Sequence, residues 1–401
     1  MNRFFPSRNK GLERLKGFAP HAGGEYARLR NYDLGPERHV HVSQLSPYLR
    51  HRLVTEEEVL QTVLNRHSRA AAEKFIHEVF WRSYWKGWLE MRPGVWREYR
   101  AGLARALDRT KAESGLRQRW EDASQGDTGI EAFDHWAKEL RETGYLHNHA
   151  RMWFASIWIH TLNLPWELGA DFFLRHLLDG DPASNTLGWR WVAGLQTIGK
   201  TYLARPDNIR KFTQNRFDPK GLSGVAEPLP SQGHPERRPA PQAKSFTVGD
   251  RVGILLHDDD LNLNPVFESG VSAPFFARLL TCETRSPLAV SQDVVSFSKH
   301  AMEDAAHRWE DRLGEDGGLY KSAEAIAAWA KNTNLDQVVT PYAAVGPAKD
   351  LLDDLHDHLA REGVDLVRVV NPYDSRAWPY ATHGFFRFKE HIPKLLDAMH
   401  L

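Results

Sequence analysis

Two pieces flanking one apolar segment decide how this chain reads: His147-Asn148-His149-Ala150-Arg151-Met152, and Asp179-Gly180-Asp181-Pro182-Ala183-Ser184-Asn185, which runs on to Trp189-Arg190-Trp191. Between them Trp153, Ile157, His160 and Leu164 recur at roughly helical intervals in an almost uncharged stretch, so residues 153–164 are expected to form a buried helix. An arginine, an amide and a methionine stand at its start. An Asp-x-Asp turn, an asparagine and two tryptophans follow it. That mixture suits a large, flat, redox-active ligand with an anionic tail: arginine pairs with negative charge, carboxylates hold ribose hydroxyls, an amide faces a ring nitrogen, and indoles stack or relay electrons.

In order and spacing these pieces resemble the FAD-binding core of the photolyase/cryptochrome superfamily. Two upstream pieces agree with them: Ser43-Gln44-Leu45-Ser46-Pro47-Tyr48-Leu49 and Glu78-Val79-Phe80-Trp81-Arg82. The resemblance implies an all-α FAD-binding domain of photolyase type. It assigns Tyr26, with Tyr32 as its rival, and Ser43, Leu45, Ser46, Arg82, Asn148, Arg151, Asp179, Asp181 and Asn185 to the cofactor. The serines lie at a helix start, where hydroxyls and free amides receive phosphate. Asn185 would face N5 of the flavin ring, a choice that resembles repair enzymes more than plant photoreceptors. Glu78, Trp81, Asn148, Met152 and Trp191 are assigned to a pocket for a pyrimidine dimer in DNA. Trp189, Trp166 and Trp120 are assigned to an electron relay, with Trp136 and Trp158 as other candidates for its third member.

The chain departs from the family in places. Val42 stands where threonine is usual and His149 where dimer photolyases have arginine, and the run from Gly194 to Tyr202 replaces an acidic loop. Gly199-Lys200-Thr201 looks like the tail of a phosphate loop but lacks the upstream glycine. Blander readings stand beside these assignments. Ser43 to Ser46 makes an ordinary helix cap. Glu78 and Arg82, one turn apart, make an internal ion pair. Eleven of the 14 tryptophans fall between Trp81 and Trp191, a density beyond easy core filling, although packing alone remains the alternative.

A length of 401 residues allows two cores. The expected division is a helical domain over 1–217, a Pro-rich linker over 218–248 and an α/β domain over 249–401. In the last, short apolar runs alternate with helical patterns, which predicts a parallel, Rossmann-like sheet. Strands are expected at Arg251 to Leu256, Pro274 to Cys282, Gly318 to Lys321, Val338 to Thr340 and Asp365 to Val370, with helices over Phe297 to Leu313, Ala323 to Lys331 and Ala348 to Glu362. The turn Asp258-Asp259-Asp260-Leu261-Asn262-Leu263-Asn264-Pro265 and the closing segment Thr382 to Phe388 resemble the photolyase antenna domain, which comes first in that family. The resemblance therefore implies a circular permutation, with an antenna pigment possible but unidentified. Read by itself, the triple Asp is a solvated loop rather than a metal site, since consecutive residues cannot all face one ion unless the chain bends.

The formal charge is zero, but residues 1–245 hold 37 Lys and Arg against 28 Asp and Glu, net +9, which leaves net −9 on the remainder. Either the basic half meets a polyanion or the two halves attract each other. The single cysteine, Cys282, excludes an intrachain disulfide and a cysteine metal cluster. No apolar run is long enough to span a bilayer, and the first residues lack the core of a secretory signal, so a cytoplasmic setting is expected. The expected function is FAD-dependent, blue-light-driven repair of pyrimidine dimers by electron transfer, which would make the chain a lyase. The alternative is a cryptochrome-like flavin photoreceptor without repair activity.

Overall fold

The computed structural model describes residues 4–401. The first half is helical: α1 (Arg8–Phe18), α2 (Gly24–Leu29), α3 (Ser46–Arg50), α4 (Glu56–Leu64), α5 (Glu73–Glu90), α6 (Gly94–Ala112), α7 (Ser114–Gln125), α8 (Glu131–Thr143), α9 (Asn148–Ser156), α10 (Trp166–His176), α11 (Pro182–Val192) and α12 (Pro206–Phe212). Local chemistry sets several of these ends. Thr55 and Glu58 form a reciprocal capping box at the start of α4. Asp134 accepts from the amides of Thr128 and Gly129 and so fixes the turn before α8. The expected helix over 153–164 is buried at Trp153, Ile157 and Leu164, but its regular part ends at Ser156 and passes through a π-helical turn, Ile157–Thr161.

Residues 218–248 contain neither helix nor strand. They lie across the helical half: Leu229 N–H donates to Ala193 and Arg238 N–H to Met91, and His234 meets the Trp88 ring edge-on at 5.1 Å.

The second half carries β1 (Val252–His257), α13 (Asn264–Glu268), β2 (Ala273–Leu279), α14 (Gln292–Arg308), β3 (Leu313–Tyr320), α15 (Ala323–Asn332), β4 (Gln337–Pro341), α16 (Pro347–Arg361), β5 (Asp365–Val369), α17 (Pro372–Ala377), α18 (Phe385–Phe388) and α19 (Ile392–Asp397). The five strands form one parallel sheet in the order β3-β2-β1-β4-β5. Wholly buried β1 is central, as its unbroken apolar run requires. Edge strand β3 starts at Leu313, where a helix was expected to end. Its Glu315, Asp316 and paired glycines conceal a strand that keeps one side in water. Among the described residues no helix is long and apolar enough to cross a membrane.

The strand order reverses between β1 and β4, and in open α/β sheets ligands favour the crevice beyond the strand ends at that point. Here the helical half fills it. The segment after β1 is not the solvated loop expected from its three aspartates: Asp258, Asp259 and Asp260 are 0%, 5% and 4% exposed. They meet an equally long basic run, Arg50-His51-Arg52. Arg50 pairs with Asp259 at 2.7 Å, Arg52 pairs with Asp260 at 2.6 Å and also with Asp374, and the His51 ring bonds the Asp258 carbonyl. Beyond β4, Glu90 of α5 accepts from Tyr342 Oη at 2.9 Å and from the Val345 amide. Mutual attraction thus accounts for part of the charge asymmetry between the halves.

Candidate functional site

Helix α5 presents Glu78, Arg82 and Lys86 at four-residue spacing, hence on one face. Glu78 and Arg82 do not pair with each other. Glu78 takes Arg30, whose guanidinium lies 5.9 Å from the centre of the Tyr26 ring. Arg82 takes Glu56 at 3.3 Å and Asp181 at 3.1 Å. Asp181 also caps α11 by accepting from the Ser184 amide at 2.8 Å, with Pro182 in the first turn as that position favours. Burial pushes its carboxyl up, but Arg82, Lys86 and Arg50 outweigh burial and hold it at about 2, so Asp181 is an anion at neutral pH.

Two residues back along the chain, Asp179 receives Arg151 of α9 at 2.8 Å, and Arg151 is fixed by a second bond to the Leu146 carbonyl. The other Asp179 oxygen, Oδ1, is buried with no hydrogen-bond partner among the described residues, and so are His147 Nε2 and Trp189 Nε1. Asn185, one turn beyond Asp181 on α11, donates its amide to the Ala170 carbonyl. That leaves its side-chain oxygen as the acceptor. Arg82, Arg151, Asp179 and Asp181 therefore converge on the turn between α10 and α11.

Other expected members sit differently. Leu45 is core and Ser43 accepts the Leu45 amide at 3.4 Å, a turn contact, while Ser46 is half-buried at the start of α3. Tyr26 is buried against Phe18 and Phe75, and its rival Tyr32 meets Phe212. Asn148 is exposed and Met152 half-buried. Trp81 stacks on Phe385 of the closing segment at 3.8 Å, and Trp191 stacks on Tyr202 at 5.5 Å. Trp189 has Trp158 as a ring neighbour at 6.1 Å, whereas Trp166 packs on Tyr99 at 5.7 Å. Trp120, on α7, is half-buried with its indole N–H unpartnered. A cavity of about 410 Å³ opens elsewhere, between the halves beside Arg8, Asn264, Trp309 and Arg376, and none of the expected site residues lines it.

Lys86, Glu56 and Arg50 were missed from sequence. Lys86 lies 3.9 Å from Asp181 and 3.8 Å from Asp259. Its spacing from Glu78 and Arg82 was the available signal. For Arg50 the signal was an Arg-His-Arg run matching a triple Asp in length.

The fold and these residues define a helical domain with a buried polar turn, joined to a parallel α/β domain. Residues 75–222 match the family described as the FAD binding domain of DNA photolyase. A deoxyribodipyrimidine photo-lyase of Streptomyces griseus is 32% identical over 204 residues, 48% of this chain and 43% of that protein. The chloroplastic/mitochondrial cryptochrome DASH of Arabidopsis thaliana is 29% identical over 200 residues, 49% of this chain and 33% of that protein. Among solved structures, a class III photolyase from Agrobacterium tumefaciens is similar at 25% identity and TM-score 0.41, over 53% of this chain and 44% of that one. Over residues 75–222 the chain is thus similar to the FAD-binding domain of photolyases, and its curated relatives include both photolyases and a cryptochrome. It spans less than half the length of these curated relatives.

The residues present fit an FAD at the Arg151–Asp179 end, where a buried acceptor lacks a partner. At the Arg82–Asp181 end both carboxylate oxygens already have partners, and binding a nucleotide there requires that pair to be shared or opened.

Proposed function

We propose that the chain binds FAD against α5, α9 and α11 and uses blue light to split pyrimidine dimers in DNA. The observation that carries this reading is Asp179, held by Arg151 with its second oxygen buried and unpartnered, inside the segment that matches the photolyase FAD-binding domain. Arg151, Asp179, Asp181, Arg82 and Asn185 would hold the cofactor, which supplies a light-driven electron to the dimer. Asn148, exposed at the start of α9, and Glu78, aligned by Arg30, would face the DNA lesion. A dimer reaches such groups only when turned out of the duplex, as enzymes acting on a base within DNA require. The α/β half, with its Asp-rich turn after β1, is read as the antenna-type domain in permuted order, in a protein of the cytoplasm.

One observation favours the photoreceptor reading. Trp81 and Trp191, the two indoles expected at the dimer, are covered by Phe385 and Tyr202 of the chain itself. The test is to load the protein with FAD, reduce it, and incubate it with a thymine-dimer oligonucleotide in blue light and in darkness. Repair predicts intact thymines in the light only. Light-driven flavin chemistry without thymine recovery selects the photoreceptor, and a protein that takes up no flavin sinks both readings.

A further inference from the structure

The turn that carries Asp179 and Asp181 is tied to the α/β half, directly by Arg285 and indirectly through Arg50 of α3. Arg50 donates Nε–H to the Gly180 carbonyl at 2.9 Å, and the same guanidinium pairs with Asp259, in the segment after β1, at 2.7 Å. Arg285, also from the α/β half, donates to the Leu177 carbonyl at 3.3 Å. It packs so near that a Cβ on residue 180 would come within 3.1 Å of its guanidinium. Lys86 lies between Asp181 and Asp259, 3.9 and 3.8 Å from each. All of these side chains are 8% exposed or less. Two buried cations thus look both ways, to the turn and to one carboxylate of the other half, and a buried cation without its carboxylate is costly.

We infer that Asp259 is a positioning residue for the flavin turn: through Arg50 it fixes Gly180, so cofactor affinity depends on docking of the α/β half. The inference rests on the FAD reading above. Arg50 offers one rigid fork to two acceptors, which a lysine cannot reproduce. Arg50→Lys keeps the charge and loses the fork, while Asp259→Asn loses the anchor.

The experiment measures FAD affinity of the full chain by quenching of flavin fluorescence, alongside the melting temperature without FAD. The control is Asp374→Asn, which removes a carboxylate of Arg52 at the same junction without touching the turn. Arg50→Lys and Asp259→Asn are expected to weaken FAD binding about tenfold or more, the size of one lost charge-assisted hydrogen bond. Asp374→Asn is expected to lower the melting temperature and leave affinity unchanged. Wild-type affinity in Arg50→Lys overturns the inference, as does an equal loss of affinity in Asp374→Asn. If Asp259→Asn does not fold, the comparison of Arg50→Lys with Asp374→Asn decides. A wild-type chain that binds no FAD brings down the flavin reading itself, and this inference with it.

Discussion

Asp179 and Glu90 are both buried carboxyls, and their partners differ. Asp179 faces a guanidinium with one oxygen to spare. Replacing it by asparagine removes the charge that Arg151 holds, so flavin retained on purification is expected to fall about tenfold, read from the absorbance ratio of flavin to protein. Among the described residues, none forms an ion pair with Glu90, and Lys349 and Lys86 act on it only from a distance. Burial pushes its carboxyl up to about 7, only partly offset by the Val345 amide and the Tyr342 hydroxyl. The sign follows from proton uptake: between its ordinary value of 4.5 and about 7 the folded protein keeps a proton that the unfolded chain has released, so this group's stabilisation is complete below that window and lost as pH rises through it. Glu90→Gln removes the dependence. Melting curves from roughly pH 5 to 8 are expected to show the variant gaining on the wild type as pH rises, and a constant difference would refute the assignment.

Helix α5 joins both halves, and its packing shows why it tolerates a glycine in its last turn. A Cβ on residue 87 would lie 2.8 Å from the Trp378 backbone and ring. Gly87→Ala should gain about 1 kcal/mol of helix propensity, yet overpacking of this kind costs about 1–3 kcal/mol. The expected net result is a lower melting temperature, and a more stable variant would show that Trp378 moves freely. Helix α4 depends instead on its cap, and Thr55→Ala is expected to cost about 1 kcal/mol in denaturant unfolding.

Across the whole chain the junction is too charged and too buried for either half to be independent. Arg50, Arg52 and Lys86 lie on one side, Asp259, Asp260 and Asp374 on the other, and separation would leave these charges unpaired. Calorimetry of the full chain is therefore expected to show one cooperative transition. Salt should shift it little, because screening acts mainly on exposed pairs. Two resolved transitions, or a marked fall in stability with salt, would contradict a buried electrostatic junction.

The residue types in order along the chain were enough to point to a photolyase-type FAD-binding domain, the two-part architecture and the parallel sheet, because periodicity and motif spacing are properties of local chain. Partner choice was not legible for the rest. Glu78 and Arg82, adjacent on one turn, pair with Arg30 and with Asp181 and Glu56. The triple Asp, polar enough to read as loop, is buried because Arg50, His51 and Arg52 bond it from some 200 positions away in sequence. Long-range contacts of this kind depend on how the halves dock, and docking is decided only when desolvation and pairing are balanced in three dimensions.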